Sequence, residues 1–193
     1  VSRVQPMAFM DTDSAATVRG SLGAVASLER GDDAMINGLP KLTAPAKASG
    51  DEGFGFGGQS GEIDLVSLQY GYILGALPLL RATSSPEKFQ ELTAQLDQMA
   101  KLHALYTGEV GANAQLLLTS AKAGEDNSDA YMNLLQSATR GIGQAESVEG
   151  QRLHGYLLTG MWAGFAQLST LAGGSNAQVA QIGDGIQHLL MKD

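Results

Sequence analysis

The sequence predicts an all-α fold, and three observations carry the prediction. Apolar residues recur at three- and four-residue spacing along most of the chain. Ser, Pro and Gly fall where helices begin and end, and no alternating apolar–polar run of the kind a half-buried strand needs competes with them. The expected architecture is a compact bundle of about six helices over residues 62–193. Residues 1–61 are expected to form an extended, Gly/Pro-rich N-terminal arm carrying one short helix.

In the arm, Val18, Leu22, Val25 and Leu28 stand at helical spacing, with Asp13 or Ser14 as cap and Gly31 as stop. "GLPKLTAPAKASGDEGFGFGGQSG" follows and holds two of the five prolines. Ordering a backbone residue costs about 1–2 kcal/mol, more than its few apolar groups offset unaided. Its order is therefore expected to come from another chain or from the bundle. Leu39, Leu42, Phe54 and Phe56 are its large apolar side chains and the expected anchors on a partner.

The bundle helices follow in turn. The first runs from about Glu62 to Arg81, with Pro78 as a kink because it donates no backbone hydrogen bond. Ser85-Pro86-Glu87 opens the second, with serine as cap and proline at the first position, and Gly108 ends it. Its seam of Phe89, Leu92, Leu96, Met99, His103 and Tyr106 suits bundle packing. The third spans about Val110–Lys122 and stops at Gly124. "EDNSDAY" places acids at the start of the fourth, where the helix dipole favours them, and Arg140-Gly141 closes it. The fifth runs from about Glu146 to Ala172, and Gly173-Gly174 ends it. Ser175-x-x-Gln178 opens a sixth, with Val179, Ile182, Ile186 and Leu189 on one face. Leu96, Met99, Leu157 and Met161 are predicted core residues. "YGYILGALPLL" from Tyr70 resembles "HGYLLTGMWAG" from His154, a hint of internal duplication.

Composition narrows the function. The chain has 193 residues, 44% of them hydrophobic, a net charge of −8 and 17% charged residues. Its Lys and Arg are scattered, without the basic footprint that nucleic acid requires. The longest apolar runs are interrupted by Gln, Ser, Thr and Pro and fall short of the roughly 20 residues of a membrane span. Cysteine is absent, which removes thiolate chemistry and disulfides. No basic stretch followed by an apolar one opens the sequence, so a leader is expected to be absent or already removed. High glycine, low charge and no cysteine favour a bacterial periplasmic or secreted setting.

The chemical motifs do not hold together. Gly53, Gly55 and Gly58 spell G-x-G-x-x-G, but no strand character precedes them and no acid stands near the distance a ribose-binding residue needs. They read as a joint. Ser85-x-x-Lys88 has the spacing of a lysine-assisted serine nucleophile, yet its companion K-T-G is missing and the serine is a helix cap. His103, His154 and His188 sit on three helices without the Glu-x-x-His or His-x-x-x-His spacing of bundle metal sites. Trp162-Ala163-Gly164 resembles, over three residues only, the W-x-G turn of small type VII secreted helical hairpins. Within a helix it reads as a small-residue groove, in which Gly160 and Gly164 admit another helix beside a tryptophan anchor.

The expected function is non-enzymatic: an accessory or structural subunit, without a cofactor or metal. It would dock onto protein partners, or onto copies of itself, through Leu39, Leu42, Phe54, Phe56, Trp162 and apolar helix faces. The alternative is an exported bundle holding an apolar molecule or haem between helices near His103, Tyr156 and Trp162.

Overall fold

A computed structural model describes residues 12–26, 28, 33–39, 58–103, 108–125 and 127–171. These residues form seven helices: α1 (Thr12–Ala26), α2 (Ala34–Asn37), α3 (Gly58–Thr83), α4 (Pro86–His103), α5 (Gly108–Ala123), α6 (Ser128–Gln144) and α7 (Val148–Leu171). Among the described residues there is no strand. The sixth expected bundle helix, from Ser175, lies outside them.

The centre of the molecule is the pair α3 and α7, which run parallel in close contact. Their approach depends on four glycines. A Cβ on Gly71 would lie 2.2 Å from the carbonyl oxygen of Leu157, and one on Gly160 would lie 2.1 Å from that of Leu68. One turn on, Gly75 meets Met161 and Gly164 meets Tyr72, both at 2.2 Å. No real side chain fits there, so each backbone sits in the groove of the other. The contacts are reciprocal: Gly71 stands to Leu157 as Gly160 stands to Leu68, and Gly75 to Met161 as Gly164 to Tyr72. The two helices are thus related by a local two-fold axis. The expected helix-admitting groove at Gly160 and Gly164 exists, and the helix it admits is α3 of the same chain.

Around this pair the seam residues close the core. Leu96, Met99, Leu157 and Met161 are all buried, as the periodicity predicts. α3 is apolar on nearly every side from Tyr70 to Leu80 and is buried along that stretch except at Tyr72, which is half-buried. The helix continues past Pro78 to Thr83 although Pro78 donates no hydrogen bond. Tyr131 of α6 is fully buried, and its hydroxyl donates to the Gly75 carbonyl of α3 at 2.6 Å.

Three boundaries differ from expectation. α3 begins at Gly58 rather than near Glu62. α6 passes through Gly141 and ends at Gln144, because Gly141 makes room rather than a stop. A Cβ there would come within 2.9 Å of the His154 ring. Gly108, expected to end the second bundle helix, instead opens α5 with φ 66°. Gly124 does end α5, with φ 75°: its N–H donates to the Ala121 carbonyl and that of Glu125 to the Ser120 carbonyl.

The N-terminal region divides. α1 buries Val18, Leu22 and Val25 in the common core, and Arg19 pairs with Asp129 of α6 at 2.9 Å. This helix is a structural member of the bundle. Residues 40–57 lie outside the described residues, and with them Leu42, Phe54 and Phe56.

Candidate functional site

Asp33, just before α2, ties the N-terminal region to the bundle. Its carboxylate accepts the Ser85 backbone N–H at 2.6 Å and the Ser85 hydroxyl at 2.9 Å. The backbone hydrogen bond is the main reason its pKa lies below the usual carboxylate range, with the hydroxyl and nearby Lys88 adding to it against opposing desolvation. Ser85 precedes Pro86, the first residue of α4, so an acid from a distant segment satisfies this helix start. The serine hydroxyl is thereby held by a carboxylate, while Lys88 faces Glu91 at 3.7 Å. No serine–lysine dyad forms.

With Asp33 fixed, Met35, Ile36 and Leu39 fall against the core, half-buried. Thr83, whose hydroxyl donates to the Leu79 carbonyl at 2.8 Å, stands 4.0 Å from the Met35 sulfur. The short helix leaves a groove of about 490 Å³ between itself, α3 and α7. Met35 and Leu39 form one wall; Leu68, Tyr72, Ala76 and Leu80 form another; Gly160, Ala163 and Gln167 close the third. The Tyr72 hydroxyl donates to Gln167 Oε1 at 3.4 Å, and burial raises its pKa, so the groove presents a neutral phenol. Leu65, one turn before Leu68, is 54% exposed. The groove holds no acid–base pair and no activated nucleophile among its lining residues. Its lining is mostly apolar, with the Tyr72 hydroxyl and the Gln167 side chain as polar groups at the edge.

A second hollow of similar volume lies where α1 ends, against Pro78, Arg81 and the α5–α6 connection. Arg81 donates there to the Glu125 carbonyl at 2.9 Å, so its guanidinium already serves the helix end. Glu125 and Arg81 make its lining partly charged, whereas no charged residue lines the groove between α2, α3 and α7.

The sequence-selected residues distribute unevenly. Leu39 lines the groove. Trp162 is 5% exposed and meets Phe165 edge to face at 5.9 Å, inside the core rather than presented to a partner. Leu42, Phe54 and Phe56 lie outside the described residues, as do Gly53 and Gly55, while Gly58 is the first residue of α3. His154 is half-buried against Gly141, and desolvation lowers its pKa. His103 ends α4, its side chain outside the description, and His188 lies outside altogether. Among the described residues no three His, Cys, Asp or Glu stand close enough to hold a metal ion. No helix among them is long and apolar enough to cross a membrane.

Sequence reasoning missed Asp33, Leu68 and Tyr72. The available signal was the pair of G-x-x-x-G repeats, Gly71–Gly75 and Gly160–Gly164, which sets the phase of both helices and so which residues face the groove. No protein-family description, curated protein or solved structure matches this chain.

Proposed function

We propose that this compact all-helical protein is a non-enzymatic accessory subunit that binds a protein partner in the groove between α2, α3 and α7. The observation that carries this reading is an open apolar groove of about 490 Å³ beside an exposed Leu65. Residues 40–57 leave from Leu39 on that groove and return at Gly58. That connection contains Leu42, Phe54 and Phe56, apolar side chains that the same partner would engage. A partner helix offering apolar residues one turn apart suits the spacing of Leu65, Leu68 and Tyr72. The low charge of the surroundings fits docking by apolar burial.

The test is co-purification of the full chain from its native source, compared with Leu65→Glu and Leu39→Glu variants. A stoichiometric protein partner that both variants lose, with the helical spectrum unchanged, is the expected result. The groove volume also lies within the range of small-molecule sites, which supports the second reading, an apolar ligand. Native mass spectrometry showing a bound small molecule and no partner would establish that alternative and defeat the first.

A further inference from the structure

The end of α2 carries a reactive pair. Asn37–Gly38 is the one Asn-Gly pair in the chain, and Gly38 and Leu39 both line the groove. An asparagine side chain can be attacked by the backbone nitrogen of the next residue, which is why asparagine is thermally labile. A Cβ on that next residue hinders the approach, and glycine has none. Asn37 and Gly38 are both exposed, so water has access to them. Among the described residues no hydrogen bond ties the Asn37 side chain. The other described asparagines are placed differently. Asn113 and Asn133 lie inside the long helices α5 and α6, before Ala and Leu, and Asn127 is buried at the start of α6.

α2 itself restrains the reaction. The Asn37 N–H donates to the Asp33 carbonyl at 2.9 Å, and the Gly38 N–H to the Ala34 carbonyl at 3.0 Å. The second bond engages the attacking nitrogen, and helical geometry tilts the preceding side chain toward the N-terminus, away from it. Yet a helix of four residues has no stability of its own, and α2 buries no residue fully. Its polar anchorage is the pair of hydrogen bonds from Ser85 to the Asp33 carboxylate, with Met35, Ile36 and Leu39 half-buried beyond it. The reaction therefore waits on local opening of α2, and Asp33 sets how often that opening occurs.

We propose that Asn37 is a self-modification site, deamidated by the Gly38 backbone nitrogen at a rate set by the Asp33–Ser85 hydrogen bonds. The Gly38 nitrogen bonds to Asn37 Cγ and gives up its proton, the Cγ–Nδ2 bond breaks, and ammonia leaves. Water then opens the cyclic imide at either carbonyl, giving aspartate or isoaspartate. Both products put a carboxylate in the last turn of α2, where the helix dipole disfavours it, and one turn from the Asp33 carboxylate. Isoaspartate also lengthens the backbone by a methylene just before Leu39, a wall of the groove. The modification thus loosens one side of the docking surface. That consequence rests on the partner reading, whereas the reaction does not.

Incubation of the full chain in water enriched in heavy oxygen tests the site, because opening of the imide leaves label at residue 37. Peptide mass mapping should find label at Asn37 before Asn113, Asn127 or Asn133. Asp33→Ala removes the anchor and should speed labelling at Asn37 by about fivefold, the worth of one ordinary hydrogen bond in an opening equilibrium, with the other three unchanged. Ser85→Ala keeps the backbone donor and should give a smaller acceleration, also confined to Asn37. Gly38→Ala should slow the labelling. Label at Asn113 or Asn127 ahead of Asn37 would overturn the site. An unchanged Asn37 rate in Asp33→Ala would overturn the gate, as would acceleration spread over all four asparagines in both anchor variants. No partner takes part in these measurements, so their failure is separate from failure of the docking reading.

Discussion

At Gly75 a hydrogen atom stands where any Cβ would press into the Met161 carbonyl at 2.2 Å. Backbone cannot swing aside as a side-chain tip can, so Gly75→Ala must separate α3 from α7. A cost of about 3 kcal/mol is expected, at the upper end of typical overpacking. Gly23→Ala in α1, where a Cβ meets nothing within 4 Å, is the matched control and should gain about 0.5–1 kcal/mol from helix propensity. Urea unfolding of both variants checks the pair, and equal effects would show that helix propensity rather than contact decides. His154 adds a pH dependence. Desolvation lowers its folded pKa below the ordinary 6.5, so the unfolded chain binds the proton more readily. Its contribution is fully present above pH 6.5 and is lost as pH falls from there through the folded pKa. His154→Gln should flatten the stability profile over that window. At Asp33 the sign agrees and the window is lower. Its carboxylate holds Ser85 above the ordinary value of 3.8 and releases it as pH falls through the depressed folded pKa. Hydrogen exchange at the Asn37 and Gly38 amides, which donate to Asp33 and Ala34, should quicken there and also in Asp33→Asn at neutral pH.

Among the elements, α4 shows most directly what a periodic sequence conveys. Phe89, Leu92, Leu96 and Met99 were legible as one face and all are buried, Leu96 completely. Leu96→Ala should therefore cost about 2–5 kcal/mol in chemical denaturation. A loss below half a kcal/mol would mean the seam collapses around the gap or does not form the core. Helix ends were legible only where chemistry is local. Gly124 stops α5 through two hydrogen bonds within its own turn, and the sequence near it suffices to say so. Gly141 looked alike in sequence, but its role is set by a histidine thirteen residues away on another helix, which local pattern cannot report. The duplication shows the same limit. Aligning the similar strings Tyr70–Leu80 and His154–Gly164 pairs Gly71 with Gly155, whereas the packed structure pairs Gly71 with Gly160. Letter similarity followed shared Leu and Tyr, while the fold follows where a backbone must approach. The groove was partly legible through Leu39; Tyr72 and Leu68 were not, because their exposure depends on how little of α3 the four-residue α2 covers.

For the whole molecule, the question is whether the N-terminal region is an arm or part of the body. Composition sets residues 1–61 apart, yet α1 places Val18, Leu22 and Val25 in the same core as Leu74 and Trp162. Burying such side chains contributes about 1.5–3 kcal/mol each, so the three together are worth on the order of 5 kcal/mol. That is comparable to the whole stability of many domains. A chain beginning at Gly58 should therefore lose cooperative unfolding and bind hydrophobic dye, even though α3 to α7 remain intact in sequence. A single proteolytic nick between residues 40 and 57 should behave differently. It removes no buried side chain among the described residues, and α1 and α2 remain attached through the core, the Arg19–Asp129 pair and the Asp33–Ser85 hydrogen bonds. The nicked protein should run as one species under native conditions and melt within a few degrees of the uncut chain. It should separate into two fragments only in denaturant. A truncated chain that melts cooperatively at the parent temperature would show instead that residues 1–57 are an appendage, with α3 to α7 folding independently.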